Sequence, residues 1–497
     1  MVDRLQSLLE NSLILQAEGA DGAPRFRMLE TLQEYALERL VTSGEASAVH
    51  QQHTTYYLQM AETAAPHLET AERHTWLVQL EAEHDNLRTA LAWSEVQPDG
   101  AETMLRLALA LAAYWYDRKH LGEGVSWFER ALARPVRPSV DASHTPSDPD
   151  QFRRLRARVL LEAGGLAHMW CALDQARAYY DEDIALYEEL GDTAGLAHAL
   201  AGAGLVARDA NDDAAAVALL ERSVAIRRTT GEYSDLCDVL CSLGITTRSQ
   251  GNYGRSEAVF TEALDLARAA HDPGWIAGAL LELGTLALHQ QFPSRAVSAL
   301  EESVRLFRGQ EVTFDLGWAL IHLAEARRVA RDALAGAVSA EDDIAALKQC
   351  WEEGLLIVQE SKARQIIGQA LLETGELAYE QVDDARAAQL LSQSLAAFHE
   401  LGLVQDIGHV LDAIAPLLAD GSQPWALRRA VQLWSGATKW HQNKPRLSPI
   451  RRSRYDRTFA AARSRLGEAL FAAAWEEGQQ LSPEQAVAYA LEELQDD

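Results

Sequence analysis

Small and large apolar side chains recur along the middle of the chain with a period of 40 residues. Each period is marked by a short pair ending in glycine or alanine: Ala163-Gly164, Ala203-Gly204, Leu243-Gly244, Leu283-Gly284 and Leu323-Ala324. A second small residue follows each of the four glycines, and a large apolar one comes four positions later: Ala176 and Tyr180, Ala216 and Leu220, Ser256 and Phe260, Ala296 and Leu300. A fixed period of this size predicts an array of repeated supersecondary units.

Each period predicts two antiparallel helices. The glycine or alanine lets the second helix approach the first, and we expect the large residue to fill the space between successive hairpins. Turn-forming residues fall where connections are needed, at Gly191-Asp192, Asn211-Asp212, Gly231-Glu232, Gly251-Asn252 and Asp272-Pro273-Gly274. The pattern therefore predicts an all-α solenoid, a right-handed superhelix of helix hairpins.

The period continues outwards with interruptions. Downstream, Gly375 restarts it after an insertion of about 11 residues, which we place in 330–343. Upstream, Ala112 belongs to an earlier unit, and the excess residues fall in 135–150, a proline-rich segment that predicts an exposed loop. The further marker residues of these outer units are Gly124, Phe128, Ala387 and Leu391, with Ala430, Trp434 and Ala437 in a degenerate last unit.

The first 43 residues depart from the repeat. A short helix over 3–11 precedes two brief apolar runs, 13–15 and 26–29, and a second helix covers 30–40. Helix, hairpin and helix in this order resemble the tail of a winged-helix domain without its preceding helices. We therefore expect no autonomous DNA binding from it.

The predicted organisation has five segments. The winged-helix remnant takes 1–43, N-terminal helical repeats 44–134, the proline-rich loop 135–150, repeats of about 40 residues 151–437, and C-terminal capping helices 438–497. Two capping helices are expected, the second opened by Ser482-Pro483-Glu484. A polar terminal cap is what a solenoid requires.

Charge and hydropathy limit the partners. A formal net charge of -28 and a pI of about 4.9 oppose long-range attraction to nucleic acid or an anionic membrane. The sequence contains no apolar run long enough to span a bilayer and no signal-peptide pattern at its start. Both observations predict a cytoplasmic protein.

Four cysteines are too few and too scattered for a disulfide framework. Cys237 and Cys241 lie one helical turn apart, a spacing that fits either half of a metal site or a pair of small core residues. No second Cys or His pair accompanies them at ligand spacing, so packing is the favoured interpretation.

Catalytic motifs are missing from the sequence. It contains no His-Glu-x-x-His, no Gly-x-Ser-x-Gly and no dinucleotide-type Gly-x-Gly-x-x-Gly. Glu83-His84-Asp85-Asn86 is rich in titratable groups, but its helix pattern favours a packing and capping cluster. We expect no enzyme activity, no catalytic residue, no cofactor and no metal site.

A basic tract near the C-terminus has two interpretations. It fits a nucleic-acid patch, or a solvated loop and helix start that offset an acidic body; with little aromatic interleaving the second is favoured. Its residues are Lys439, Lys444, Arg446, Arg451, Arg452, Arg454 and Arg457.

Positive side chains recur on the predicted first helices. The position four after each marker glycine or alanine, which usually faces the concave side, reads His168, Arg208, Arg248, Leu288 and Arg328, and His289 adjoins Leu288 as the polar residue of its unit. A ladder of His168, Arg208, Arg248, His289 and Arg328 would suit an anionic effector, a peptide carboxylate or an acidic partner segment. Alternatively the arginines pair with groove acids such as Asp209 or Glu325.

The repeat resembles the tetratricopeptide repeat, whose unit is about 34 residues, with longer helices or loops. The segments RFRMLETLQEYALERL (25–40), EHDNLRTALAW (83–93) and AAARSRLGEALFAAAWEEGQQLSPEQAVAYALEE (460–493) extend the likeness. Together they resemble the C-terminal sensor region of bacterial signal-transduction ATPases with numerous domains (STAND proteins), including LuxR-, AfsR- and maltose-activator-like regulators. In such proteins a nucleotide-binding domain and a winged helix precede a helical-repeat sensor.

The sequence also departs from that family. It contains no G-x-x-x-x-G-K-[ST] and no complete helix-turn-helix, so ATP hydrolysis and operator binding do not carry over. The resemblance implies the sensor arm alone, either truncated or working with a separately encoded ATPase or DNA-binding partner. The preferred function is a non-catalytic sensor or scaffold for a protein, peptide or small anionic effector. The alternative is a DNA-binding regulator that uses the N-terminal remnant and the basic tract 439–457.

Overall fold

The fold is known from a computed structural model. It describes residues 2–18, 24–134, 149–230, 233–310, 313–333, 341–360, 364–380, 383–420, 424–440 and 449–495. The chain is a tetratricopeptide-like α-solenoid built from helix hairpins, as the 40-residue period predicts. Among the described residues, no helix is both long and apolar enough to cross a membrane.

The chain forms two compact units, Met1–Thr230 and Gly231–Asp497. Their boundary lies inside the predicted repeat region 151–437, between two hairpins. The segment boundaries proposed from the sequence stay predictions. Each unit is described below by itself.

The first unit contains eleven described α-helices, a two-stranded hairpin and a short 3-10 helix. In chain order they are α1 (Val2–Glu10), β1 (Leu15–Glu18), β2 (Pro24–Arg27), α2 (Glu30–Thr42), α3 (Ala46–Ala64), the 3-10 helix (Ala65–Glu69), α4 (Arg73–Ala82), α5 (His84–Val96), α6 (Ala101–Asp117), α7 (Leu121–Leu132), α8 (Pro149–Met169), α9 (Leu173–Leu190), α10 (Thr193–Asp209) and α11 (Asp213–Thr230).

The second unit is helical throughout its described residues. Its helices are α12 (Tyr233–Ser249), α13 (Tyr253–Ala269), α14 (Pro273–His289), α15 (Pro293–Arg308), α16 (Thr313–Ala333), α17 (Glu341–Glu360), α18 (Arg364–Glu380), α19 (Asp384–Glu400), α20 (Val404–Asp420), α21 (Pro424–Trp440), α22 (Pro449–Leu466), α23 (Glu468–Gln480) and α24 (Pro483–Gln495).

The marker glycines are where the two helices of a hairpin come closest. A Cβ added at Gly244 would lie 2.3 Å from the ring of Phe260, and one at Gly284 would lie 2.5 Å from Leu300. The large residue therefore packs on the glycine of its own hairpin, a contact that we did not expect. Tyr180 also has the expected role between hairpins, because a Cβ on Gly202 of α10 would lie 2.4 Å from its ring.

A left-handed residue turns the chain inside five hairpins whose connections the structure describes. It lies seven positions after the marker residue, and the amide that follows it bonds back to the first helix, as from Asp212 to Ala207 at 2.8 Å. The left-handed residues are Lys119, Cys171, Asn211, Gly251 and Gln291. Two of these, Asn211 and Gly251, lie in turns that the sequence predicts, whereas no turn was predicted at the other three. The predicted turn at 231–232 lies outside the described residues.

The N-terminal residues form the predicted helix, hairpin and helix. Strands β1 and β2 pair antiparallel, with Leu15 opposite Arg27. Arg25 holds this piece against the solenoid, since it donates to the Ala82 carbonyl at 2.9 Å and lies 2.8 Å from Glu83. Helix α2 has no buried residue.

The interruptions of the period have structural counterparts. Positions 135–148 of the proline-rich segment lie outside the described residues. Its last two positions, 149 and 150, are helical, because α8 begins at Pro149. Around the predicted insertion, α16 and α17 are 21 and 20 residues long, against 17 for α12 and α13. The two helices beside the predicted insertion are therefore longer than those of the α12–α13 hairpin.

The C-terminal cap has three described helices where two were expected. The chain breaks at Gly467, whose φ of 77° is left-handed, so the first expected helix becomes α22 and α23. Phe471, Ala474 and Val487 are buried against α20 and α21. The cap thus closes an apolar end, which a solenoid needs.

Candidate functional site

In the first unit, two residues of the predicted ladder converge on one acid. His168 on α8 lies 2.8 Å from Asp209 on α10, and Arg208 donates from Nε to the same carboxylate at 3.0 Å. Burial would raise the pKa of Asp209, but the hydrogen bond from His168 and the charge of Arg208 outweigh it and lower that pKa. The three side chains form a cluster in which Asp209 carries the negative charge.

In the second unit, one ladder residue is also paired with an acid. Arg248 on α12 lies 2.6 Å from Glu282 on α14, and both side chains are mostly buried. Arg328 is only 6% exposed, and Leu288 is equally buried. His289 lies beside the ring of Tyr253. At these positions of the second unit, Arg248 therefore forms an ion pair, and Leu288 and Arg328 lie below the surface.

A second set of polar side chains lies two residues before three of the marker positions. Glu282 and His322 hold this place in α14 and α16, and Glu373 holds it in α18. Burial would lower the pKa of His322, but the carboxylate of Glu325, 3.7 Å away, and the charge of Glu373 outweigh it and raise that pKa. This set was not predicted, although the spacing of 40 residues between positions 282 and 322 could have shown it.

A cleft of about 840 Å³ lies on the first unit between α3, α6 and α8. Arg154 and Arg158 line it from α8, and Arg106 lines it from α6, where it forms two hydrogen bonds of 2.8 Å with Glu62. Leu109 and Phe152 add apolar surface. A volume of this size matches small-ligand and peptide-anchor pockets, which mostly span about 300–1,000 Å³.

Equivalent positions of two successive repeat units line the cleft. Helices α6 and α8 contribute their residues at equivalent positions, Glu102 with Arg154 and Arg106 with Arg158, ten and six residues before the marker. Glu162 of α8 also lines the cleft. Burial raises the pKa of Glu162, and the negative charge of Glu69 raises it further. Basic, acidic and apolar groups therefore line one groove.

The Glu83 cluster joins four parts of the first unit. Glu83 accepts hydrogen bonds from Tyr57 at 3.0 Å and Asn86 at 2.6 Å, besides its ion pair with Arg25. His84 lies 3.1 Å from Glu123 of α7. These contacts have the packing role that the sequence pattern favours for this segment.

The basic tract lies largely outside what the structure describes. Positions 444 and 446 are not described, and the side chains of 451, 452 and 454 are not either. Lys439 approaches the Gln479 carbonyl at 3.4 Å, and Arg457 is exposed. The nucleic-acid interpretation of the tract stays a prediction.

The N-terminal helix α2 exposes apolar side chains. Tyr35 is 61% exposed and Val41 is 68% exposed, with Leu29 and Leu37 also open to solvent. Exposed apolar side chains concentrated on one short helix are typical of a surface that meets another protein segment.

Comparisons with known proteins give a partial relationship. No protein-family model matches the chain. Proteins of Mycobacterium bovis and Mycobacterium tuberculosis named as candidate HTH-type transcriptional regulators are 34% identical over 215 residues, which is 41% of this chain and 22% of theirs. The chain thus spans about a fifth of the length of these relatives.

Solved structures show a distant likeness. The apo form of RapI has 13% identity and a TM-score of 0.45, covering 62% of this chain and 99% of its own. A STAND protein with a tetratricopeptide repeat sensor from Pyrococcus horikoshii has 14% identity and a TM-score of 0.41, covering 78% of this chain and 60% of its own. Similarity at this level transfers no partner.

Proposed function

We propose that this chain is a non-catalytic binding module of a bacterial transcription regulator, which binds a peptide or protein segment along the first helices of its hairpins. The observation that carries the proposal is the cleft of about 840 Å³ on α3, α6 and α8, which basic, acidic and apolar side chains line together. Such a lining suits an extended peptide, whose backbone and mixed side chains offer donors, acceptors and apolar groups in sequence.

The repeat architecture supports recognition by surface area. Within each unit, stacked hairpins expose a face of first helices, and repeat proteins use such faces to bind extended partners. His168 and Arg208 belong to the proposed surface of the first unit. Arg248 and His289 belong to the equivalent face of the second unit, where Arg328 is buried. Because Arg208 and Arg248 already pair with Asp209 and Glu282, an acidic partner group would have to exchange with those carboxylates.

The regulatory context rests on the sequence relatives. Identity of 34% over 215 residues to candidate HTH-type regulators supports a role in transcriptional control. We interpret the N-terminal helix, hairpin and helix as a winged-helix remnant, and the exposed apolar side chains of α2 as the surface that meets an ATPase or DNA-binding partner. The small size of this N-terminal remnant and the acidic charge of the chain favour partner binding over direct DNA contact.

The test is selection of peptides by the purified chain. A phage-displayed library of random dodecapeptides is panned on the immobilised protein, and enriched peptides are synthesised with a fluorescent label for anisotropy titration. We expect Arg158→Glu to weaken their binding by about tenfold or more, because reversing a charge in the cleft removes one ion pair and adds a repulsion. Arg153→Glu is the matched control, since Arg153 is exposed on α8 but does not line the cleft.

Two outcomes would contradict the proposal. If the enriched peptides bind the Arg158→Glu and Arg153→Glu variants with equal affinity, the cleft is not the peptide-binding site. A salt-dependent mobility shift of duplex DNA, with no peptide enriched, would favour the DNA-binding alternative, because counterion release makes such binding strongly dependent on salt.

A further inference from the structure

Two histidines and a glutamate meet on the first unit, away from the cleft. Glu81 lies near the end of α4, His84 begins α5, and His120 caps the start of α7. One possible ligand atom from each lies within 4.8 Å of the other two. Glu81 and His84 are neighbours across the α4–α5 junction, and the tertiary structure brings His120 to them from the turn between α6 and α7.

The His120 ring is held without a hydrogen bond on Nε2. This nitrogen is buried and has no hydrogen-bond partner, while the nearest acid oxygen, on Glu81, is 3.6 Å away. Buried polar atoms normally have a partner, and an unpartnered one calls for a water, an ion or another ligand. The backbone fixes the ring in place, because the His120 amide bonds to the Trp115 carbonyl at 2.9 Å after the left-handed Lys119.

The surrounding groups match a metal-ligand environment. His84 Nε2 lies 3.1 Å from Glu123, the kind of carboxylate contact that orients a metal-binding imidazole. Glu123 is itself held by Arg88 at 2.7 Å. Tyr114 donates its hydroxyl hydrogen to Glu81 at 3.0 Å and so orients the third ligand.

We propose that Glu81, His84 and His120 bind a divalent transition-metal ion of the Zn²⁺ class. Two imidazoles and one carboxylate are a common Zn²⁺ ligand set, with water in the fourth position. Ligand atoms around tetrahedral Zn²⁺ are roughly 3.3 Å apart, so the side chains need to close by up to about 1.5 Å. Glu81 is partly exposed, which leaves a route for the ion.

The ion would join the α4–α5 junction to the turn between α6 and α7. No metal site is predicted from the sequence, because these three residues do not form a ligand motif there. The competing explanation is charge pairing alone: Arg118 Nε lies 3.5 Å from the Glu81 carboxylate, and a protonated His120 would add a second cation. Binding measurements separate the two, because charge pairing involves no ion.

The experiment is a titration of the full chain with Zn²⁺ and Co²⁺ after removal of metals with a chelator. Isothermal calorimetry measures Zn²⁺ binding, and visible absorption reports the coordination of Co²⁺. We expect one site per chain whose affinity falls about 100-fold or more in His84→Ala and in His120→Asn, and about tenfold in Glu123→Gln, which removes only the orienting charge. Asn at position 120 keeps the helix cap, so this variant should fold.

His74→Ala is the matched control, because His74 is exposed on α4, the helix that carries Glu81. It should bind Zn²⁺ like the wild type. The four cysteines are unchanged in all variants, so a difference in affinity reports the imidazoles. Absence of saturable Zn²⁺ binding by the wild type, or equal binding by wild type and folded His120→Asn, would overturn the proposal.

Discussion

Asp183 on α9 holds the same place in its hairpin as Ser223 holds in the next, 40 residues further along the chain. The Ser223 hydroxyl donates to the Ala197 carbonyl at 2.7 Å, and Ser303 and Ser394 make the same bond to residues 26 positions earlier. Both Asp183 oxygens are buried without a hydrogen-bond partner. Burial raises the pKa of Asp183 to about 8, and the Glu182 charge adds to this.

We predict that Asp183→Ser stabilises the chain in a pH-dependent way. The pKa is about 8 in the folded state and 3.8 as a reference for the unfolded state, so between these values the folded state binds the extra proton. The wild type therefore loses about 1.4 kcal/mol of unfolding free energy per pH unit in this window. Urea denaturation should show little gain for Asp183→Ser near pH 4 and a gain of several kcal/mol near pH 8.

The control for that measurement is Asp181→Ser, because Asp181 is exposed on the same helix. Its unfolding free energy should follow the wild type at every pH. A gain for Asp183→Ser that is independent of pH would show that Asp183 does not carry the buried proton.

We predict opposite effects of two alanines on α14. Gly284→Ala places a Cβ 2.5 Å from Leu300 and should destabilise the second unit by about 1–3 kcal/mol, because the hairpin must open. Gly278→Ala meets no heavy atom within 4 Å and should stabilise the same helix by about 0.5–1 kcal/mol. Thermal unfolding followed by circular dichroism measures both, and similar shifts would contradict the close approach.

We predict that Cys237 and Cys241 resist alkylation in the native protein. Burial raises the pKa of Cys237 to about 11 and holds that of Cys241 well above its ordinary value, so little reactive thiolate is present at pH 8. Peptide mapping after iodoacetamide treatment should find both modified only after addition of guanidinium chloride. Rapid labelling of Cys237 under native conditions would show that it does not pack beneath α13, where its Sγ lies 3.6 Å from the Ala263 carbonyl.

We predict that Glu83→Ala releases the N-terminal piece. Loss of the carboxylate removes partners of Arg25, Tyr57 and Asn86, which should cost about 1–3 kcal/mol locally. Limited trypsin digestion should then cleave faster after Arg25 and Arg27. The exposed change Glu38→Ala on α2 is the control, and equal cleavage rates for the two variants would argue against Glu83 as the attachment point.

The sequence by itself determined the helix hairpins of this protein. Gly204, Gly244 and Gly284 mark the close approaches because only the absence of a Cβ lets a neighbouring side chain lie so near the backbone, and that property is visible residue by residue. The turns at 191–192 and 251–252 and the N-terminal helix, hairpin and helix follow from equally local signals.

Only the tertiary structure decided what the charged side chains meet. Arg208 and Arg248 form a periodic row in the sequence, yet one meets Asp209 and the other Glu282. Likewise, no sequence motif indicated the cleft beside Arg158 or the close approach of His84 and His120. Ion pairs and ligand clusters depend on distances between helices that lie tens of residues apart, and a repeat period predicts which residues share a face but not which charges lie opposite them.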